Sequence, residues 1–243
     1  MALLVEEQQQ YNRHIILDEV GLVGQEKLKS ASVLVIGAGG LGCPVLSYLS
    51  AAGVGRIGII DHDTVDQSNL QRQVLYAQLD IGTPKVEAAK RYLSLLNPFV
   101  KFESYNEKLT CSNAVDFFEN YDIIVDGSDN FPTRYLVNDA AVLTGKPVVF
   151  GSVFKFEGQL SVFNYNQGPT YRCLYSRPPG ENEAPNCSEI GVIGVLPGII
   201  GSLQANEVIK IICGIGEVLS GKLLLFDALS LNQSLLKFLK NTK

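Results

Sequence analysis

Two rhythms of apolar and polar residues alternate through the first half of the chain. Short apolar runs at 32–36, 56–60, 99–105, 122–125 and 148–153 read as strands. Helical segments are predicted between and before them, over about 6–30, about 40–52, a short stretch after Ser112, and about 132–144, where Gly145 ends the helix. A further helix begins at Thr83-Pro84, with proline at the first helical position where its missing N–H costs nothing, and stops at Leu96 before Pro98. Strands alternating with helices imply parallel pairing through right-handed crossovers.

Past Gly151 the pattern changes. Gln159–Tyr165 alternates apolar and polar positions with no helix before it, and strands are also expected near 222–227 and 235–239. Residues 166–186, rich in Pro, Gly, Asn and Glu, read as one long mobile loop, and a helix is expected over 196–213. The fold class that follows is α/β: a Rossmann-like nucleotide-binding fold with helices on both faces. Its mixed sheet is parallel in the N-terminal half and antiparallel in the C-terminal strands. At 243 residues the chain fits one large domain, about 1–150 forming a nucleotide-binding half and about 151–243 a second half.

Composition narrows the partners. With 46% apolar and 19% charged residues the chain has the make-up of a globular protein with a substantial core. A net charge of −5 argues against nucleic acid as a partner but permits local basic spots. Five scattered cysteines (Cys43, Cys111, Cys173, Cys187, Cys213) lack the spacing of a disulfide framework and point to a reducing compartment. Cys43 and Cys213 are expected in the core. The brief apolar start, Met1 to Val5, has the wrong flanks for a targeting segment. No run reaches the roughly 20 apolar residues that cross a bilayer. A cytoplasmic protein without a membrane partner is the expectation.

The chemistry is concentrated where a strand meets a glycine-rich turn, Val33-Leu34-Val35-Ile36-Gly37-Ala38-Gly39-Gly40-Leu41-Gly42. Nineteen residues past Gly42, the next apolar run delivers Asp61. Glycines let backbone N–H groups approach a phosphate at a helix N-terminus, and the acid can take ribose hydroxyls. This is a dinucleotide-type layout, and an NAD(P)-dependent oxidoreductase would share it. The following loop, Asp61-His62-Asp63-Thr64-Val65-Asp66-Gln67-Ser68-Asn69-Leu70-Gln71-Arg72-Gln73, instead carries an arginine back towards the nucleotide. Lys85 opens the next helix, where a cation opposes the macrodipole unless an anion holds it. Together these features point to a triphosphate. A second glycine-bounded stretch, Gly216 to Lys222, mimics a phosphate-binding loop, but Leu223 stands where a hydroxyl would hold Mg²⁺, so a hairpin-like turn is expected there.

This combination closely resembles the E1-like superfamily of bacterial MoeB, ThiF and HesA proteins. The matching residues are Arg13-His14-Ile15-Ile16-Leu17, Gly37 to Gly42, Asp61 to Asp66, Ser68 to Gln73, Gly82-Thr83-Pro84-Lys85, Asp126-Gly127-Ser128-Asp129-Asn130, Cys187-Ser188-Glu189 and Gly194 to Gly201, in order across essentially the whole chain. The resemblance implies an enzyme that uses ATP and Mg²⁺ to adenylate the C-terminal Gly-Gly carboxylate of a ubiquitin-like sulfur carrier, MoaD-like for molybdopterin or ThiS-like for thiamine. By position it implies Gly40 and Asp61 on the nucleotide. Asn69, Arg72 and Lys85 serve the phosphates, Ser68, Leu70, Gln71 and Asn130 also bind nucleotide, Asp129 binds nucleotide and holds Mg²⁺, and Arg13 acts across a homodimer. A catalytically inactive dimeric scaffold descended from the family is the alternative to an enzyme.

Physical chemistry agrees with the charged roles. A carboxylate approaching the α-phosphate brings anion against polyanion, so cations must converge. Asp129 follows a strand at the carboxyl edge of the sheet, with an N-cap for the helix near Pro132 as its alternative role, and Asp126 can be structural. In relatives, two Cys-x-x-Cys pairs make a four-thiolate zinc site. Here Thr170-Tyr171-Arg172-Cys173 lacks one cysteine and the sequence stops at Lys243, so zinc is not expected. The position of Cys187 can form a thioester or acyl-disulfide in some relatives, while others need adenylation alone; Glu183 and Glu189 nearby should raise its pKa. The carrier's surface is expected after Phe150, with Phe154, Phe156, Tyr165 and the loop through Arg177.

Overall fold

The computed structural model describes residues 2–180 and 191–241. Eight strands form one sheet: β1 (Ser32–Ile36), β2 (Arg56–Ile60), β3 (Lys101–Tyr105), β4 (Ile123–Asp126), β5 (Val148–Phe154), β6 (Glu157–Phe163), β7 (Lys222–Asp227) and β8 (Gln233–Lys237). Their spatial order is β3-β2-β1-β4-β5-β6-β7-β8. The first five in that row pair in parallel, and β6, β7 and β8 add in antiparallel fashion. The mixed sheet expected from the change of pattern after Gly151 is present.

The strand period of two sorts the core into two layers. Val33, Val35, Ile57, Ile59, Ile123, Val125, Val149 and Val162 face one layer; Leu34, Ile36, Ile60, Ile124, Val148, Phe150 and Phe163 face the other. The first layer is closed by α3 (Gly21–Ser30), α4 (Gly42–Ala52), α5 (Lys85–Leu96) and α9 (Val195–Cys213). The second is closed by α6 (Ala114–Glu119), α7 (Phe131–Thr144) and α8 (Tyr171–Leu174). Cys43 and Cys213 are buried in the first layer, and burial pushes the Cys43 thiol up to about 12.

Several expected boundaries shift. The N-terminal helical segment is broken into α1 (Val5–Gln10), α2 (Asn12–Ile15) and α3. The first break falls at Tyr11, whose buried ring carries a hydroxyl that accepts from Asn97 Nδ2 at 2.8 Å, and the second at Gly21, with φ +57°. Pro84 caps α5 rather than opening it, and Lys85 is the first helical residue. Part of the expected long loop is folded. Tyr171 of α8 is buried edge-on against Tyr135 and Phe163, so aromatic burial outweighs a loop-like composition. Residues 181–186 of that loop lie outside the described residues. The glycine-bounded stretch before Lys222 follows the C-cap of α9 at Gly214, so it is a helix-to-strand connection rather than a hairpin turn.

Helix α9 is more apolar than the membrane argument allowed. Its 19 residues are long and apolar enough to cross a bilayer by length and composition. In this fold it lies on β5 and β6, with Gln204 and Glu207 buried along it. Gln204 donates to the carbonyls of Asp126 and Val149 at 2.9 and 3.2 Å, tying the helix to the end of β4 and the start of β5.

At the β3 edge, Glu103 Oε2 accepts hydrogen bonds from Tyr121 and Tyr105 at 2.8 and 2.9 Å and pairs with Arg56, while Lys101 pairs with Oε1. Burial works against this carboxylate's charge, but the Lys101, Tyr121 and Tyr105 hydrogen bonds and Arg56 outweigh it, and its pKa falls to about 2. A folded-state pKa below the unfolded one stabilises the fold above about pH 4.5 and ceases to do so as pH falls towards 2. Glu103→Gln is therefore expected to cost at most about 3 kcal/mol at neutral pH. Thermal denaturation at pH 7 and pH 3 checks this: the Tm gap between wild type and variant should narrow at the lower pH.

Candidate active site

The strand order reverses between β1 and β4, whose chain continuations leave towards opposite faces. In open α/β sheets, ligands bind in the crevice at such a point, outside the carboxyl ends of the strands. Here it is a cavity of about 840 Å³. The glycine turn after β1 forms one side. Gly37 has φ +89°, and a Cβ on Gly42 would sit 2.0 Å from the Gly37 carbonyl oxygen, so the turn closes only with glycine at both positions. The Asp126-Gly127-Ser128-Asp129 turn after β4 forms the facing side, Gly127 donating its N–H to the Ile36 carbonyl at 2.9 Å.

Asp61 ends β2 and is locked to the glycine turn. Its Oδ2 accepts the Ala38 N–H and its Oδ1 the Asp63 N–H, both at 2.8 Å. Tyr76 donates its hydroxyl to the Ala38 carbonyl at 2.7 Å, so the Ala38 peptide is gripped on both sides. Lys85 is buried, its side chain 7% exposed, and its ammonium lies 2.8 Å from Asp63 Oδ2. The anion required by a lysine at a helix N-terminus is thus supplied by the protein. Asp63 is desolvated, yet the Lys85 hydrogen bond and charge, helped by His62, hold its carboxyl below the usual carboxylate range.

Of the residues expected from the sequence, Gly40, Asp61, Ser68, Gln71, Arg72, Lys85, Asp129 and Asn130 line this cavity. Arg72 is braced by a 3.0 Å hydrogen bond to the Ser68 carbonyl. Asn69 and Leu70 are not among the lining residues. Asn69 Oδ1 instead accepts the Asp66 N–H at 3.1 Å, and Leu70 packs on the core, so both shape the loop. Asn130, not Asp129, caps α7, accepting the Thr133 N–H at 3.0 Å. The cap role weighed for Asp129 is therefore taken by its neighbour, and Asp129 stays exposed at the cavity with only a 3.4 Å contact from Asn130. Asp126 is structural: buried, raised by desolvation against the opposing charge of Arg134, and bonded to the Ser128 N–H and hydroxyl. Arg13 lies on exposed α2 and does not line the cavity. Cys187 lies outside the described residues.

A family model described as the ThiF family matches residues 11–243. The chain belongs to the ThiF family. It is 55% identical over 92% of its length to a sulfur carrier protein adenylyltransferase of Thermus thermophilus, of which it covers 84%. It is 52% identical over 95% of its length to MoeZ of Mycobacterium tuberculosis, a probable adenylyltransferase/sulfurtransferase, and 54% over 89% to the adenylyltransferase and sulfurtransferase MOCS3 of Aedes aegypti. It spans only 60% and 50% of those two longer relatives. Among solved structures, E. coli MccB with ATP has a TM-score of 0.84 at 22% identity, over 98% of this chain and 73% of that one. PaaA scores 0.83 at 24%, over 99% and 76%. These two similarities establish the fold that this ThiF-family chain shares.

The family motifs do not include every residue that the cavity gathers. Lys108, Arg134, Phe154 and Lys155 also line it. Arg134 is buried between the Phe131 and Phe150 rings, 5.4 and 5.5 Å from their centroids. No spacing rule joins 108, 134 and 155 to the glycine turn; only the sheet brings them together.

The Asp63–Lys85 pair makes a testable electrostatic unit. Asp63 is 53% exposed, so solvent screening keeps the pair's worth to about 1 kcal/mol. A thermal or urea double-mutant cycle with Asp63→Asn and Lys85→Gln should return a coupling of about that size, shrinking in high salt.

Proposed function

We propose that this chain is an ATP-dependent adenylyltransferase acting on the C-terminal Gly-Gly carboxylate of a ubiquitin-like sulfur carrier. One observation carries the reading: a single crevice collects the glycine turn, the ribose-facing Asp61, the cations Arg72 and Lys85, and the exposed Asp129. The Thermus relative, at 55% identity, is named for this activity.

The reaction needs that assembly. A carrier carboxylate oxygen attacks the α-phosphorus of ATP, an O–P bond forms, the α–β bridging bond breaks, and pyrophosphate leaves with the electron pair. The carboxylate is already ionised near neutral pH, so no general base is required. Two unit charges of the same sign at 4 Å repel by about 4 kcal/mol at an effective dielectric near 20, against about 1 kcal/mol in water. Arg72 and Lys85 offset this repulsion where it develops. On phosphate entry Lys85 exchanges Asp63 for a stronger anion. Asp61, already fixed by two backbone N–H groups, offers its remaining lone pairs to the ribose. Asp129 fits a Mg²⁺ held by one carboxylate and substrate phosphates, since Asn130 has taken the capping role and left its oxygens open. The bound ion would neutralise phosphate charge.

The finer assignments extend from the same reading. Arg13, exposed on α2 and away from this cavity, fits a role in a second copy's site, making a homodimer the working unit. The carrier is of the MoaD or ThiS type, for molybdenum cofactor or thiamine synthesis, and Cys187 is the candidate for a covalent step after adenylation. The four cysteines among the described residues are unpaired thiols, in keeping with a reducing cytoplasmic setting.

Pyrophosphate exchange into ATP, run with carriers ending in Gly-Gly, tests the reading. Exchange should require carrier and ATP, and Arg72→Ala or Asp129→Ala should lower it at least 100-fold with the fold intact. Mixed dimers of Arg13→Ala with Arg72→Ala should regain one working site. ATP with Mg²⁺ should raise Tm while NAD should not; a shift with NAD alone would favour an oxidoreductase, and no exchange with any carrier a non-catalytic scaffold.

A further inference from the structure

Strand β5 outruns its parallel neighbour. Asp126, the last residue of β4, pairs with Phe150, and β5 continues for four more residues to Phe154. At about 3.3 Å per residue, that carries the β5–β6 hairpin roughly 13 Å beyond the carboxyl edge where nucleotide is expected. Phe154 pairs with Glu157, so the hairpin turns on two residues, Lys155 and Phe156.

The turn is made at a lysine. Lys155 has φ +52°, a left-handed conformation that glycine or asparagine adopts more cheaply. Its carbonyl accepts the Ile193 N–H at 3.1 Å and its backbone bridges to Val192, so the turn also anchors the chain entering α9. A backbone conformation held by its surroundings against residue preference points to a task for the side chain. That side chain lines the cavity beside Phe154, its ammonium 5.5 Å from the ring centroid, and makes no ion pair among the described residues. Val153, Phe154 and Val192 line the cavity beside it, an apolar flank to an otherwise exposed side chain.

We propose that Lys155 is the binding residue for the C-terminal carboxylate of the incoming polypeptide, holding it across the crevice from the phosphate cations Arg72 and Lys85. The assignment rests on the reading given under Proposed function. It divides the labour among the cations: Arg72 and Lys85, on the glycine-turn side, meet the nucleotide. Lys155, on the hairpin that overhangs the sheet edge, meets the acyl substrate. Val153, Phe154 and Val192 beside it offer an apolar surface for an extended, small-residue tail.

Carriers of the MoaD and ThiS type, each prepared with a free C-terminal carboxylate and as the C-terminal carboxamide, test it. Wild type should bind the carboxylate form at least tenfold more tightly than the amide. Lys155→Gly and Lys155→Gln should lose that discrimination and raise the carrier KM in pyrophosphate exchange at least tenfold, leaving the ATP KM within twofold. Lys155→Arg should keep the discrimination. Because glycine relieves the φ +52° turn, Lys155→Gly should have a Tm equal to or above wild type, which separates lost charge from lost fold. Undiminished discrimination in the glycine variant, or an equal rise in the ATP KM, overturns the assignment while leaving adenylation standing. Absence of exchange with the unaltered enzyme overturns the adenylation reading, and this inference with it.

Discussion

Strand β1 occupies the centre of the parallel half of the sheet, with β2 on one side and β4 on the other, and everything chemical here follows from that seat. Its continuation and that of β4 part to opposite faces, opening a crevice where the backbone of the glycine turn meets charged side chains from several elements. Helix α4 begins at that crevice, bringing the positive end of its dipole. The Ala38–Asp61 hydrogen bond then fixes the end of β2 against the turn after β1. Loss of close approach at Gly37 or Gly42 would force the turn open and displace the acid as well.

The crevice handles its charges before any ligand arrives. Lys85 is held by Asp63, Asp126 is buried opposite Arg134 and satisfied by Ser128, and Asp61 is hydrogen-bonded to two amides. Such a site is preorganised: its charged side chains are held by partners already in place, so a bound anion would meet ordered groups and not loose ones. The antiparallel strands add what the nucleotide half lacks. They extend the sheet beyond the crevice and suspend the β5–β6 hairpin over its edge, adding a wall that the parallel half lacks.

Much of this was legible along the chain. The apolar runs located the strands of the parallel half because a strand buried on both faces must be apolar on both. Gly145, Pro98 and the glycine run marked ends and turns for stereochemical reasons that act locally. Where the reading slipped, a distant partner had intervened. Residues 171–174 look like loop by composition, yet Tyr171 is drawn into an aromatic cluster with Phe150 and Phe163. Helix α9 approaches a membrane span by hydropathy, and its polar Gln204 shows its true neighbour, backbone carbonyls at the end of β4 and the start of β5.

The chain by itself determined the elements, the parallel-then-antiparallel order of the sheet, and the kind of chemistry, because periodicity, glycine geometry and charge type are properties of adjacent residues. Which acid caps a helix and which remains open, which anion neutralises Lys85, and which cations from positions 108, 134 and 155 join the crevice were decided only by the tertiary structure. Those outcomes depend on distances between segments far apart in sequence, and such distances exist only once the sheet has assembled.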